Sequence, residues 1–324
     1  METTIFRKYT MVFILVGLMI LFSLLSPAFL TAYNLRNIVV QNTHILVVAV
    51  GISFLMMSGA LDLSVGYQMS VIGVLAAKLM TEAGASPVVA VLCAILAGVA
   101  CGFINGFLAN LLKIQPLVVT IGTTTVFQGI SYLISQGRAY SNYPETFRLI
   151  SKGAPLGVPS DVWIAIAALL IAAFVFNFTY FGRYVKAMGG NEEAARLAGV
   201  NTKRMRLATF MISGFFVSIA TFILISKQGT TNSSVGPGTE LTAMTAAMLG
   251  GISFSSGEGK MWGLLVGVYV LGIIENGMQL AGWNQYIQYI VKGLVLLAAI
   301  GFDQYQRSSQ TKKKPVESKK AEAA

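Results

Sequence analysis

Few side chains in this sequence can do chemistry, and those few sit in apolar surroundings. Asp62 lies in Gly59-Ala60-Leu61-Asp62-Leu63-Ser64-Val65-Gly66, a glycine-bounded break between two greasy runs. Ionisable residues at membrane depth mark substrate paths, relays or paired charges. Asp62 therefore has two readings, a cap for the helix that follows or a contact for a passing ligand. Glu275 and Lys292 stand on consecutive apolar runs at similar distances from the turn near Gly282. At ~1.5 Å per residue they fall within ~5 Å of each other along the axis. That spacing predicts an ion pair joining two helices, with a proton relay as the alternative. His44, the single histidine, adjoins Gln41 and Asn42 and reads as a hydrogen-bonded packing residue. Ser64, Asn105, Thr124, Gln128 and Asn276 can line a polar path, although threonine hydroxyls also bond their own helix backbone.

Other chemistries lack their parts. Gly257-Glu258-Gly259-Lys260-Met261 ends like a phosphate loop. Phe254, however, stands where that loop opens on glycine, and Met261 where a hydroxyl must meet magnesium. Cys93 and Cys101 lie eight residues apart in one apolar run, ~12 Å along a helix and beyond disulfide reach. No nucleophile–base pair, metal-ligand spacing or cofactor motif appears. The chain reads as no enzyme, and any ATP hydrolysis it uses is expected on a separate subunit.

The elements that must hold these residues follow from composition. Of 324 residues 55% are hydrophobic and 11% charged, against about 25% charged in soluble domains. The mean hydropathy is +0.70. Too little polar surface remains for a water-exposed shell, so the chain is expected to be an all-α polytopic membrane protein. Long apolar runs without strand-like alternation point to helices rather than a barrel. About ten transmembrane helices are predicted, near 10–29, 38–57, 67–82, 87–112, 116–136, 162–181, 207–227, 241–250, 261–281 and 284–302. The first is longer than a signal h-region and lacks a small-residue cleavage site, so it reads as an uncleaved span. Residues 34–37 read as a short outer turn. Gly98, Gly102 and Gly106 repeat every four residues, a row that lets a neighbouring backbone approach closely. Residues 1–302 are expected to form one transmembrane domain, and 303–324 a basic, disordered tail.

Ten crossings put both termini on one side. That side collects Arg7, Lys8, Lys113, Arg183, Lys186, Arg196, Lys203, Arg204, Arg206, Lys260, Arg307 and the five tail lysines, 16 of the 23 basic residues. By the positive-inside rule it is cytoplasmic. The net charge of +10 is thus an orientation signal rather than a nucleic-acid surface. A faint internal echo also appears. Gly59 to Gly66 resembles Gly250-Gly251-Ile252-Ser253-Phe254-Ser255-Ser256-Gly257, and Ile104-Asn105-Gly106 resembles Glu275-Asn276-Gly277, as an old pseudo-repeat would leave behind.

The longest polar interruption in the second half is Gly189 to Asn201. Asn191 suits an N-cap, Glu192 and Glu193 complement the first turn, and Gly199 offers a left-handed stop. Glu192 and Arg196 are spaced i,i+4, and Asn201 can cap the next helix. Ala194, Leu197 and Ala198 share one face. Two turns are marginal in water, where isolated helices need roughly 12–15 residues. This helix must dock, either on its own bundle or on another protein.

At this point the sequence resembles the permease subunits of ATP-binding-cassette importers for ribose, galactose and related sugars. The resemblance rests on Gly59 to Gly66, Ser135 to Asn142, Gly189 to Asn201, Pro237-Gly238-Thr239-Glu240-Leu241, Leu249-Gly250-Gly251 and Asn276-Gly277, spread over nearly the whole chain. The family usually has a second glycine at Ala60 and isoleucine at Leu61. It implies that Gly190, Asn191, Glu192, Glu193, Arg196, Leu197 and Gly199 form a coupling helix gripped by an ATP-binding subunit at the cytoplasmic face. It further implies a second permease copy, usually as a homodimer, in the cell's inner membrane. An extracytoplasmic sugar-binding protein is expected to dock on loops 137–161 and 228–240 through Arg138, Glu145, Arg148 and Glu240. A ribose-type sugar leads as substrate. A standalone ion-coupled carrier using Asp62 or Glu275 is the alternative.

Overall fold

The computed structural model describes residues 2–254 and 256–313, with side chains described from residue 13 to 301. It is built from α-helices α1 (Glu2–Leu25), α2 (Ala32–Gln41), α3 (Thr43–Met56), α4 (Val65–Thr81), α5 (Pro87–Leu112), α6 (Pro116–Ser135), α7 (Glu145–Lys152), α8 (Ser160–Phe178), α9 (Tyr180–Gly190), α10 (Glu192–Leu197), α11 (Thr202–Gln228), α12 (Thr239–Leu249), α13 (Met261–Leu280) and α14 (Gln285–Lys313). Two-residue strands β1 (Tyr140–Ser141) and β2 (Thr230–Thr231) pair antiparallel. Among the described residues, six helical stretches are long and apolar enough to cross a membrane: Ala32–Met56, Pro87–Leu112, Pro116–Ser135, Ser160–Phe178, Thr202–Gln228 and Met261–Leu280. Phe13–Leu25, Val65–Thr81 and Gln285–Gly301 are shorter apolar helices.

Sequence punctuation sets these boundaries. Ser86 accepts from Val89 N (3.4 Å) with Pro87 in the first turn, starting α5. Lys113 closes α5 in the left-handed region (φ 55°), and Pro116 opens α6. The expected turn at 34–37 is instead helical. Thr31 caps α2 by accepting from Asn34 N (3.3 Å), and the chain reverses earlier, at Ser26 to Thr31 around Pro27. The second expected span is two helices, α2 and α3, meeting at Asn42. Past residue 302, where a tail is expected, α14 continues to Lys313; Lys314, Lys319, Lys320 and the remainder to 324 lie outside the described residues, as does Ser255 of the internal echo.

The core forms where α3 and α11 cross. Nearly every residue of α3 is buried, and Phe54 packs on Phe176 of α8 and Phe216 of α11, ring centroids 4.4 and 6.0 Å away. The glycine row of α5 fits against α11. A Cβ at Gly98 would meet Ser218 Oγ and Gly214 O, one at Gly102 would meet Phe210 O, and one at Gly106 would lie 3.1 Å from Leu207 Cα. Small residues here do what membrane helices ask of them, bringing backbones together.

The two halves of the internal echo end helices alike. Gly59 and Gly251 both have φ 80°. Ala60 N bonds Leu55 O and Ile252 N bonds Ala247 O, each at 2.9 Å, the long bond of a Schellman stop. The structural match is thus Gly59 with Gly251, one residue off the alignment read from sequence.

Candidate functional site

One candidate region is α10 and its surroundings. Asn191 Oδ1 accepts from Ala194 N at 2.9 Å, Gly199 has φ 88°, and Asn201 Oδ1 accepts from Arg204 N at 3.1 Å. The expected Glu192–Arg196 pair does not form. Arg196 turns to Glu193 Oε1 (2.6 Å), and Glu192 is taken by Arg206 (2.6 Å). The reason is anchoring: Arg206 also donates to Asn110 Oδ1 (3.2 Å) and is only 18% exposed, so its guanidinium is held where Glu192 can reach it. Within α10 only Ala195 is buried. Leu197 is 80% exposed, and Ala194 and Ala198 are exposed beside it. The apolar face of this helix is therefore not spent on its own chain. A cavity of about 670 Å³ lies beside it, lined by Glu192, Arg196, Arg206, Lys113 and Lys203 and floored by the Gly59 turn.

Helix α9, which sequence reading merged into the preceding span and linker, carries α10. Its end is clamped by backbone. A Cβ at Gly189 would meet Met57 O and, at 2.6 Å, Gly257 Cα.

A second cluster surrounds Asp62, which is 1% exposed. Its Oδ1 accepts from Ser64 N (2.8 Å) and Ser64 Oγ (2.6 Å). Oδ2 accepts from Gln68 Nε2 (2.9 Å) and Asn105 Nδ2 (3.2 Å). The carboxylate lies just before α4 and is satisfied by neutral donors, while Ser64 rather than Asp62 stands at the N-cap of α4. Gln68 was missed, although it follows Ser64 by one helical turn and so shares its face. Thr120 Oγ1 accepts from Leu63 N (3.2 Å), tying the break to α6. Thr124 is half-buried on α6 and bonds its own helix at Thr120 O (2.6 Å); Gln128 is half-buried one turn further on.

Asn276 is not part of that cluster. It forms a reciprocal amide pair with Asn34, Nδ2 to Oδ1 at 2.8 and 2.9 Å, joining α13 to α2. Lys292 Nζ lies 2.6 Å from Glu275 Oε1. Both residues, with His44 and Asn276, line a cavity of about 960 Å³ between α3, α12, α13 and α14.

Loops 137–161 and 228–240 meet through Tyr140↔Thr231 and Ser141↔Thr230. Tyr143 donates to Tyr140 O (3.3 Å), and burial pushes its phenol up, so it stays protonated. Arg138 and Glu145 are exposed, and Arg148 is half-buried with its guanidinium over Gly229. Glu240 does not join them. It caps its own turn by accepting from Gly238 N (3.0 Å) and packs, with Gly236 and Pro237 of the same loop, on Gly66 at the start of α4, away from the β1–β2 pair. Sequence reading also missed a buried ion pair. Lys227 Nζ lies 2.8 Å from Asp161 Oδ2, with Asp161 fully buried; Thr43 Oγ1 donates to the same oxygen (3.0 Å), and Lys227 also donates to Val40 O. Both residues fall at the edges of expected spans, and nothing in local spacing brings them together.

Comparison with known proteins extends this geometry. A family described as branched-chain amino acid transport system / permease component matches residues 34–300. The chain is 36% identical over 316 residues to the L-arabinose transport system permease protein AraH of Escherichia coli (strain K12), covering 94% of this chain and 93% of the relative. It is 33% identical over 294 residues to the ribose import permease protein RbsC of the same strain, covering 89% and 91%. The RbsC of Bacillus subtilis (strain 168) is 33% identical over 290 residues, covering 88% and 89%.

Proposed function

Because the chain belongs to the branched-chain amino acid transport system / permease component family, we propose that it is the membrane subunit of an ATP-binding-cassette importer that moves a monosaccharide. Relatives named for L-arabinose and ribose support a pentose, with a ribose-type sugar as the leading case. A separate ATPase subunit grips α10 at the cytoplasmic face, and a sugar-binding protein docks on the opposite loops through Arg138, Glu145 and Arg148. Two copies of this chain pair in the inner membrane. Ten crossings arise from the six long helices, the three shorter apolar ones and α12, which leaves both termini cytoplasmic. The matching stops at Gly59 and Gly251 support an ancient pseudo-repeat.

The observation that carries this reading is the open face of α10. A two-turn helix with one buried residue cannot be held by its own packing alone, and Leu197, Glu193 and Arg196 are free to meet a partner's groove. An ion-coupled carrier is less well supported. Asp62 already accepts four hydrogen bonds from Ser64, Gln68 and Asn105, and Glu275 is engaged by Lys292.

The test is co-purification with a co-expressed ATP-binding subunit in mild detergent. The wild-type chain is expected to retain that subunit, and Glu193→Arg with Arg196→Glu to lose it while the permease itself stays monodisperse. Retention by the reversed variant, or no retention by the wild type, would count against the coupling role.

A further inference from the structure

The cavity of about 960 Å³ lies toward the end of the bundle away from α10, among α3, α12, α13 and α14. Its walls carry amide and charged side chains on helices that are otherwise apolar. Ionisable side chains at membrane depth face a bundle interior or water rather than hydrocarbon. Glu275 and Lys292 are bonded to each other yet keep 27% and 32% of their side-chain surface open. The pair is presented to the cavity rather than sealed between helices. Its charges cancel, so it offers acceptors and donors without a net field to attract an ion.

The rest of the lining has matching chemistry. Asn42 and Gln288 are each 9% exposed, and Gln288 Nε2 donates to Trp283 O (3.1 Å), fixing the turn that carries the indole. Trp283 and Tyr289 add flat apolar faces. Gly272 of α13 packs directly on the Asn42 side chain, so the wall at the break between α2 and α3 is pinned. Small-molecule sites typically span ~300–1,000 Å³ and combine apolar or aromatic walls with a few placed polar groups. A neutral, hydroxyl-rich ring fits this set best, because each hydroxyl both donates and accepts and the ring's C–H face covers an aromatic plane.

We propose that this cavity is a monosaccharide site within each single permease chain, with Trp283 under the ring, the Glu275 carboxylate accepting from hydroxyls and the Lys292 ammonium donating to them. The inference rests on the importer reading and adds to it: the sugar pauses inside one chain.

The experiment uses the complete complex, permease with ATPase subunit and sugar-loaded binding protein, in proteoliposomes, with ribose and L-arabinose as probes. Uptake and ATP hydrolysis are followed together. Trp283→Ala, and the neutral pair Glu275→Gln with Lys292→Gln, are expected to lower sugar moved per ATP by about tenfold while binding-protein-stimulated hydrolysis persists. A second measurement places Thr242→Cys on the cavity wall in a chain with Cys93 and Cys101 changed to Ser. A membrane-impermeant thiol reagent should label it, and millimolar sugar should slow labelling several-fold. Uptake within twofold of wild type in both variants, or labelling by lipid-soluble reagents only and without sugar protection, would overturn the site. A wild-type complex that moves neither sugar would instead overturn the importer reading.

Discussion

Replacing Lys227 with Met tests how the end of the bundle opposite α10 is held. The perturbation leaves Asp161, with no exposed side-chain surface, facing only Thr43 Oγ1 at 3.0 Å. Removing one partner of a buried pair typically costs ~3–5 kcal/mol, since the remaining charge stays desolvated. Val40 O is not orphaned, because Asn42 N also donates to it. The cost is therefore assigned to Asp161 and not to the backbone. Asp161→Asn leaves the ammonium with Val40 O and Thr43 and should cost less, ~1.5–3 kcal/mol for the lost charged hydrogen bond. The double variant removes both charges and should recover ~2 kcal/mol or more relative to Lys227→Met. The assay is denaturant-titrated unfolding in mild detergent, followed by fluorescence of the three tryptophans. Glu275 with Lys292 is the internal comparison: each side chain is about a third open, so screening should hold either single change to ~1 kcal/mol or less. If Lys227→Met and the double variant unfold at the same midpoint, the pair is not coupled and the argument fails.

Three further outcomes are expected. Leu197→Asp should leave the unfolding midpoint within ~0.5 kcal/mol, as surface changes do, but should abolish recovery of the ATP-binding subunit; unchanged recovery would mean that the open face is not the docking face. Gly102→Leu drives its side chain into the Phe210 carbonyl and should cost ~1–3 kcal/mol or more, while Gly122→Ala, with nothing within 4 Å of the added carbon, should be silent. Asn34→Ala leaves the Asn276 amide buried and unpaired, and Asn276→Ala leaves Asn34 Oδ1 without its donor while Asn34 Nδ2 keeps Phe29 O (2.9 Å); each should cost ~1–3 kcal/mol. Together they should cost less than the sum, which additive midpoints would contradict.

What could be read from sequence was local. Ser86-Pro87 and Lys113 to Pro116 mark helix ends through caps and a fixed proline φ, and α5 falls on the predicted 87–112. The capped outline of α10 and the packing face of the glycine row follow from the same one-dimensional rules. The break at Asn42 was illegible, because apolar periodicity continues through it and its reason lies far along the chain, in Lys227, Asp161 and Gly272. Arg206 outcompeting Arg196 for Glu192 has the same origin: Asn110, on α5, decides it. Glu240 looked like a loop charge because its neighbours are loop-forming, yet Gly66 makes room for it inside the bundle.

The clamp on Gly189 has a mechanical consequence. Where main chain rests on main chain, with the carbonyl of Met57 on one side and Gly257 on the other, no side chain is available to flex and absorb a displacement. A push delivered to the two-turn helix that begins three residues beyond would reach the α3–α4 turn and the segment that follows α12 together and undiminished. Both would then have to shift as one rigid part, and a single added methyl at position 189 would be enough to loosen that linkage.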